Sequence, residues 1–357
     1  RKLSFMRTLL LTDLHFNDKP RGLLKEQLKC LTRIYDEEAP DEVIIMGDLM
    51  MNRKPSPSVL LALKELINYI SISETKIVIL RGNHDSETKA DDGVTALSLF
   101  DNKARVVVHT EIDHKNKRVY IPHYENQEII KRYLSEVPEG YTVFGHFGYN
   151  GCLNSAGDCD FNINFAEFIS PSFLGHIHRF NKRTREAKGS LENVTILGTP
   201  YTTNYGESGK ENFYGILDDG GPRNKKNTGW ISSDAETYIT EFKPIEHGPR
   251  HLVVSYKDLL NPDVVQFIND KSYYTMLRVF RDRDDEEINF EGVDVEHLEI
   301  KWHPSTDNIV DNLDAYSPDR DLFSVNEVIL EDYIASVDTE LTRDQIMEGY
   351  SLIKNED

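Results

Sequence analysis

Nowhere does the chain approach the roughly 18 consecutive apolar residues that a membrane-crossing helix needs. No transmembrane helix and no membrane partner are therefore expected. Cysteine is scarce: the 357 residues contain three, Cys30, Cys152 and Cys159. Three thiols make no disulfide framework. Cys152 and Cys159 are close enough in sequence to pair, but reduced thiols in a cytoplasmic protein are the simpler expectation. The opening RKLSFMRTLLLTD turns polar too soon to read as a secretory signal. The sequence has no internal repeat, low-complexity tract or ATP-cradling glycine loop, so any use of ATP has to come from a partner. Positive charge is also in deficit, with a formal net charge of −20. That deficit is uneven. Residues 1–249 hold 31 Lys and Arg against 35 Asp and Glu, whereas residues 250–357 hold 10 against 26. The acidity belongs to the last third, where it reads as solvated surface, and it does not exclude an anionic substrate on the first part. Nucleic-acid binding there would depend on local patches, a metal site or a partner rather than on bulk charge.

What is present is one repeated grammar. RTLLLTDLH (7–15), EVIIMGDLM (42–50), KIVILRGNHD (76–85), YTVFGHF (141–147) and SFLGHIH (172–178) each run a short apolar stretch into polar residues. Continuous runs of this length suit strands buried on both faces. Between the first three lie amphipathic segments. Residues 22–38 carry Leu24, Leu28, Leu31, Ile34 and Tyr35 near helical spacing, and residues 56–70 open with Ser56 as an N-cap before Pro57. Strand–helix alternation with short links predicts an α/β layered domain. VTILGTP (194–200) and FYGILD (213–218) follow as short strands. EFKPIEHGPRH (241–251) reads as a boundary. Beyond it, HLVVSYK and YYTMLRVF read as strands around a short helix at NPDVVQFIN, and residues 323–357 as two amphipathic helices forming a hairpin.

The ends of the five apolar runs carry Asp13 and His15, Asp48, Asn83 and His84, His146, and His176 with His178. Sites in layered α/β folds form where strands end. Alternation sends residues i and i+2 to the same side, so Asp-x-His and His-x-His can each present two donors to one cation. Any one of these elements reads as an ordinary turn or a structural histidine. Five in order, all at the ends of apolar runs, read as a metal site.

Asp13-x-His15, Gly47-Asp48, Gly82-Asn83-His84-Asp85, Gly145-His146 and Gly175-His176-x-His178 resemble the motif series of calcineurin-like metallophosphoesterases, over about residues 6–217. The resemblance implies a β-sandwich flanked by helices and two divalent metal ions about 3–4 Å apart. It places Asp13, His15, Asp48 and His178 around one, and Asp48, Asn83, His146 and His176 around the other, with Asp48 bridging. His84 is then a proton donor or phosphate contact, and Asp85 either orients it or serves equally as a plain turn or helix cap. Carboxylate, imidazole and amide donors suit manganese, iron or zinc, and the resemblance favours Mn2+.

GTP at 198–200 after FLGHIHRF is similar to the SbcD-type nuclease subunits of double-strand-break repair complexes, including phage recombination endonucleases. That implies a DNA substrate, a homodimer, and an SbcC-type ABC ATPase whose coiled coil receives the terminal hairpin. The expected division is a nuclease domain over 1–243, a small α/β capping domain over 244–322, and the hairpin over 323–357. One departure concerns Met51, which stands where the family often has an acidic residue or histidine, so that a contact behind the ligands is expected to be missing or supplied by Asn52. His123 in IPHYEN and the loop 148–160 are candidates to line the cleft, with a structural role the plainer reading for His123. A small-substrate phosphatase or cyclic-nucleotide phosphodiesterase would use the same metals but has no need of residues 250–357. A catalytically idle scaffold would not need the full donor set.

Overall fold

The computed structural model describes residues 6–153, 161–187, 190–219, 238–282, 290 and 292–302. In chain order the strands are β1 Arg7–Leu11, β2 Glu42–Ile45, β3 Lys76–Leu80, β4 Arg105–Val107, β5 Glu111–Asp113, β6 Arg118–Ile121, β7 Thr142–Gly145, β8 Ser172–Leu174, β9 Asn181–Ala187, β10 Ser190–Ile196, β11 Phe213–Asp219, β12 Tyr238–Pro244, β13 Gly248–Ser255, β14 Tyr273–Arg281 and β15 His297–Trp302. The helices are α1 Leu23–Glu38, α2 Pro57–Ser71, α3 Gln127–Ser135 and α4 Pro262–Ile268. Two six-stranded sheets, ordered β12-β11-β1-β2-β3-β4 and β5-β6-β7-β8-β10-β9, form the body, and β13-β14-β15 form a separate parallel sheet.

Strand alternation explains why the apolar runs are continuous. Leu9, Leu11, Val43, Ile45, Ile77 and Ile79 face outward into a cluster with α1 and α2. Their neighbours Leu10, Ile44, Val78 and Leu80 face inward and meet Tyr120, Phe144 and Phe173 of the second sheet. On the far side, Val119, Val143 and Leu174 pack beneath Ile130 and Leu134 of α3. The result is a helix–sheet–sheet–helix sandwich of mixed α/β class, in which strands buried on both faces need no polar positions until they end.

Local chemistry sets the helix boundaries. The Ser56 side chain accepts from the Val59 amide with Pro57 at the first helical position. The buried stripe of α1 is rotated from the sequence expectation: Leu24 and Leu28 lie at its half-buried margin, while Gln27 and Cys30 are inside. Gln27 is buried because it has backbone partners, donating to the His15 carbonyl and accepting from the Asn17 amide. That contact ties α1 to the loop that carries His15. The polar run 181–187 forms β9, an edge strand paired with β10, which its composition does not advertise.

The separate sheet has its own small core of Leu252, Ile268, Leu277 and Val279. It sits against the sandwich where Gly248 meets the Cys30 side chain of α1. The expected hairpin at 323–357, Cys159 and most of the loop 148–160 lie outside the described residues. No described helix is long and apolar enough to cross a membrane.

Candidate metal centre

The segments after β1, β2, β3, β7 and β8 converge. Pairing continues past the strands, with the Asp13 amide donating to the Gly47 carbonyl (2.9 Å) and the His15 amide to the Asp48 carbonyl (2.9 Å). The chain then turns through the left-handed region at Asp13 (φ 52°), His15 (φ 42°), Asp48 (φ 51°) and His176 (φ 77°). Such values are uncommon outside glycine and cost energy. Here they aim side chains rather than close turns. Strand alternation is therefore not what brings Asp13 and His15 together, and it does not keep His176 with His178. Those two separate into different clusters.

In the first cluster, His15 Nε2 lies 3.0 Å from His178 Nε2 and 3.8 Å from Asp13 Oδ1, and His178 Nε2 lies 3.9 Å from the same oxygen. In the second, Asn83 Oδ1 is 2.8 Å from His176 Nδ1 and 3.1 Å from His146 Nε2. Asp48 stands between them. Its Oδ2 is 3.7 Å from His15 Nε2, and its Oδ1 is 3.4 Å from His146 Nε2. All seven sequence-predicted ligands are thus brought together. Asp13–His15–His178 and Asp48–His146–His176 each have spacing that could hold a metal ion, as do His15–Asp48–His84.

The chemistry of the donors fits cations. His178 Nδ1 lies 2.6 Å from Glu207 Oε1, and His146 Nδ1 lies 2.6 Å from the Met46 carbonyl. An acceptor at Nδ1 fixes the proton there and leaves the Nε2 lone pair aimed inward. The His15 Nδ1 has no partner among the described residues, and its Nε2 lies 3.0 Å from that of His178, where two lone pairs would repel unless a proton or a cation lies between them. Burial, with His178 and His146 respectively as neighbours, pushes His15 and His176 down to about 3, so both imidazoles are neutral, the form that coordinates. Burial alone would raise Asp48, but His146 and then His15 hold its carboxyl well below the usual range. Burial also disfavours a charged His146, yet the Asp48 carboxylate lifts it to about 9. A proton on His146 compensates the same buried charge that a cation would.

His84 is half-buried. Its ring Nδ1 is 2.6 Å from the Met51 carbonyl, and its amide donates to Asp48 Oδ1 at 2.8 Å. Position 51 therefore orients His84 through its backbone, whatever its side chain, and Asn52 is exposed. The reading in which Asp85 orients His84 is corrected. The buried Asp85 carboxylate accepts from the amides of Leu49 (2.9 Å), Met50 (3.2 Å) and Gly82 (2.9 Å). Asp85 is a clamp between the loops after β2 and β3. His123 is mostly buried and stacks on His176, with ring centroids 5.5 Å apart.

Glu207 escaped the sequence reading. It is buried, accepts from the Thr203 amide at 2.6 Å, and is held ionised by His178 against the penalty of burial. An acidic residue shortly after GTP (198–200), in YTTNYGE, was the available signal.

Residues 6–180 match the family model described as calcineurin-like phosphoesterase. A nuclease subunit of SbcCD from Staphylococcus saprophyticus is 26% identical, over 44% of this chain and 52% of that protein. The chain thus matches about half the length of that curated relative. Among solved structures, the Pseudomonas putida nuclease MPE aligns with 59% of this chain and 83% of its own at 16% identity and a TM-score of 0.29. TT1561 of Thermus thermophilus aligns over 60% and 95% at 10% identity and a TM-score of 0.34.

Gly82 gives a direct test of the geometry. A Cβ there would run into the Asp48 side chain and amide. Gly82→Ala should cost about 1–3 kcal/mol of stability and lower divalent-cation affinity together with it. A folded Gly82→Ala protein with unchanged affinity in a calorimetric titration would show that this contact does not hold Asp48 in place.

Proposed function

We propose, from the match of residues 6–180 to the calcineurin-like phosphoesterase family, that the chain is a metal-dependent phosphoesterase and hydrolyses DNA phosphodiesters with two divalent cations, Mn2+ for preference. Asp13, His15, Asp48 and His178 hold one cation in this reading. Asp48, Asn83, His146 and His176 hold the other. The observation that carries it is the Asp48 carboxylate, whose two oxygens are directed to different clusters. A cation pair supplies Lewis-acid polarisation of a phosphoryl group and acidifies water. The chain's own residues supply the rest. Asp48 and Asp13 concentrate negative charge at the cluster centre. The Met51 carbonyl holds the His84 ring beside His15, with centroids 4.9 Å apart, so that His84 can stabilise charge on phosphate or protonate the leaving oxygen.

The DNA substrate is supported by the motif resemblance and by the name of the curated relative, a nuclease that is one subunit of a complex. The same resemblance supports a cytoplasmic repair or recombination role with an SbcC-type ATPase. It also supports a division into nuclease domain 1–243, cap 244–322 and ATPase-docking segment 323–357. The separate core of β13–β15 agrees with a boundary near 244.

Asp48→Ala should abolish Mn2+-dependent cleavage and weaken both cations. His84→Ala should retain them while losing about 10²-fold or more in turnover. Linear duplex DNA, single-stranded DNA and a chromogenic phosphodiester, assayed in parallel, test the substrate. Cleavage of the small ester alone would replace the nuclease reading with a small-substrate phosphodiesterase.

A homodimer through α2 is part of the same proposal. Leu61 on that helix and Ile72 just after it are 64% and 79% exposed and share an open groove with Tyr69, whereas the outer face of α1 is charged. Sedimentation at micromolar concentration should give a dimer that Leu61→Glu dissociates. A monomeric wild-type mass would contradict it.

A further inference from the structure

The two clusters are supported in different ways. Among the described contacts, the Asn83–His146–His176 cluster is backed by the sandwich itself. His146 Nδ1 rests on the Met46 carbonyl just after β2, and His176 packs against Phe161 and His123. His178, in the other cluster, is backed by a turn that belongs as much to the separate sheet as to the sandwich.

That turn spans residues 202–208, with a single 3-10 turn at Tyr205–Glu207. On its inner side, Glu207 Oε1 fixes His178 Nδ1 at 2.6 Å. The same oxygen accepts from the Thr203 hydroxyl and the Asn204 side-chain Nδ2, both at 3.0 Å. On its outer side the turn is clamped by β13 and β14. The His251 amide donates to Thr202 Oγ1 at 2.6 Å, and His251 Nδ1 lies 3.0 Å from the Thr202 carbonyl. The Val253 amide donates to Ser208 Oγ at 2.9 Å. The Arg278 guanidinium lies 3.9 Å over the Tyr205 ring, whose other face-to-edge partner is His251 at 4.9 Å. Glu299 of β15 holds Arg278 in that pose through Nε at 2.9 Å. All three strands of the separate sheet therefore bear on one short turn, and the turn ends on one histidine.

We propose that the seating of this sheet sets the cation affinity of the Asp13–His15–His178 cluster selectively, with Glu207 and Arg278 as positioning residues that act through His178. A shift of the sheet relative to the sandwich moves Tyr205 and Thr202, and Glu207 moves with them. The imidazole then loses the partner that fixes its proton at Nδ1 and its lone pair at Nε2. The turn makes no described contact with the Asn83–His146–His176 cluster, which meets the other cluster only through Asp48 and the His176 amide on Asp13 Oδ2 (2.9 Å), so it keeps its affinity. A partner or substrate that engages the sheet would thereby control how many cations the centre holds, without touching a ligand. The two-state element that such coupling requires is the docked or undocked turn. This rests on the two-cation reading above.

The test is a calorimetric Mn2+ titration of the metal-free full chain. Wild type should show two binding events. Arg278→Ala lies outside both clusters and should weaken one event roughly 2- to 30-fold, leaving the other within twofold. Glu207→Ala should weaken the same event by about 10- to 100-fold. In an Asp13→Asn background, which removes that event, Arg278→Ala should have no further effect, because the interaction term of the cycle vanishes with the site. The surviving event also reports that each variant is folded. Two wild-type events with both unchanged in Arg278→Ala would overturn the coupling alone, as would equal weakening of both. A single wild-type event would overturn the two-cation reading and this proposal with it.

Discussion

A carboxylate taken out of water must find opposite charge or strong donors, and the buried Asp48 has the His84 amide and the imidazoles of His146 and His15, set against a second buried carboxylate. Much of the surrounding structure can be read as a response to that. The loop after β2 reverses through left-handed backbone so that the two oxygens are directed to opposite clusters. Gly82 has no side chain because the Asp48 carboxylate occupies that space. Asp85 spends its carboxylate on three amides of the adjoining loops, which keeps the Asp48 loop and the His84 loop in fixed relation. A proton on His146 balances the charge in one state, and cations balance it in the proposed working state. Either way the arrangement favours positive charge at its centre, and cations held there would in turn attract an anionic phosphate.

The sandwich was legible because its strands are buried on both faces. A run such as Leu9-Leu10-Leu11 sends alternate residues into two different cores, so apolar continuity signals position in the fold. The seven candidate ligands were legible because they follow such runs directly. How they divide followed from the motif resemblance and not from strand alternation. His176 and His178 differ by two positions, yet a left-handed residue separates them into different clusters, and dihedral angles leave little trace in a single sequence. The role of Asp85 was ambiguous for a related reason. Next to His84 in sequence, it faces backbone amides in space. Met51 looked like a missing contact because only its side chain was considered, while its carbonyl holds His84. Glu207 lies 29 residues from the histidine it supports, and no periodicity connects them.

Charge and architecture divide the molecule along the same line. The nearly balanced first 249 residues contain the sandwich and every candidate ligand, whereas the acidic last third contributes the separate sheet. That sheet supplies no donor to either cluster among the described residues. It contributes instead through hydrogen bonds and ring contacts to the turn at 202–208. A chemical core built on strand ends is rigid, since its backbone is paired on both sides. Support that arrives through a turn is adjustable. The placement of one histidine on each kind of support gives the centre one fixed and one tunable half.

The central claim is that Asp48 is shared between two cations. Anomalous diffraction from Mn2+-soaked crystals measures this directly. The account predicts two peaks about 3.5–4 Å apart, one beside His15 and His178 and one beside His146 and His176, with Asp48 between them. A single peak, or two peaks of which only one contacts Asp48, would contradict it.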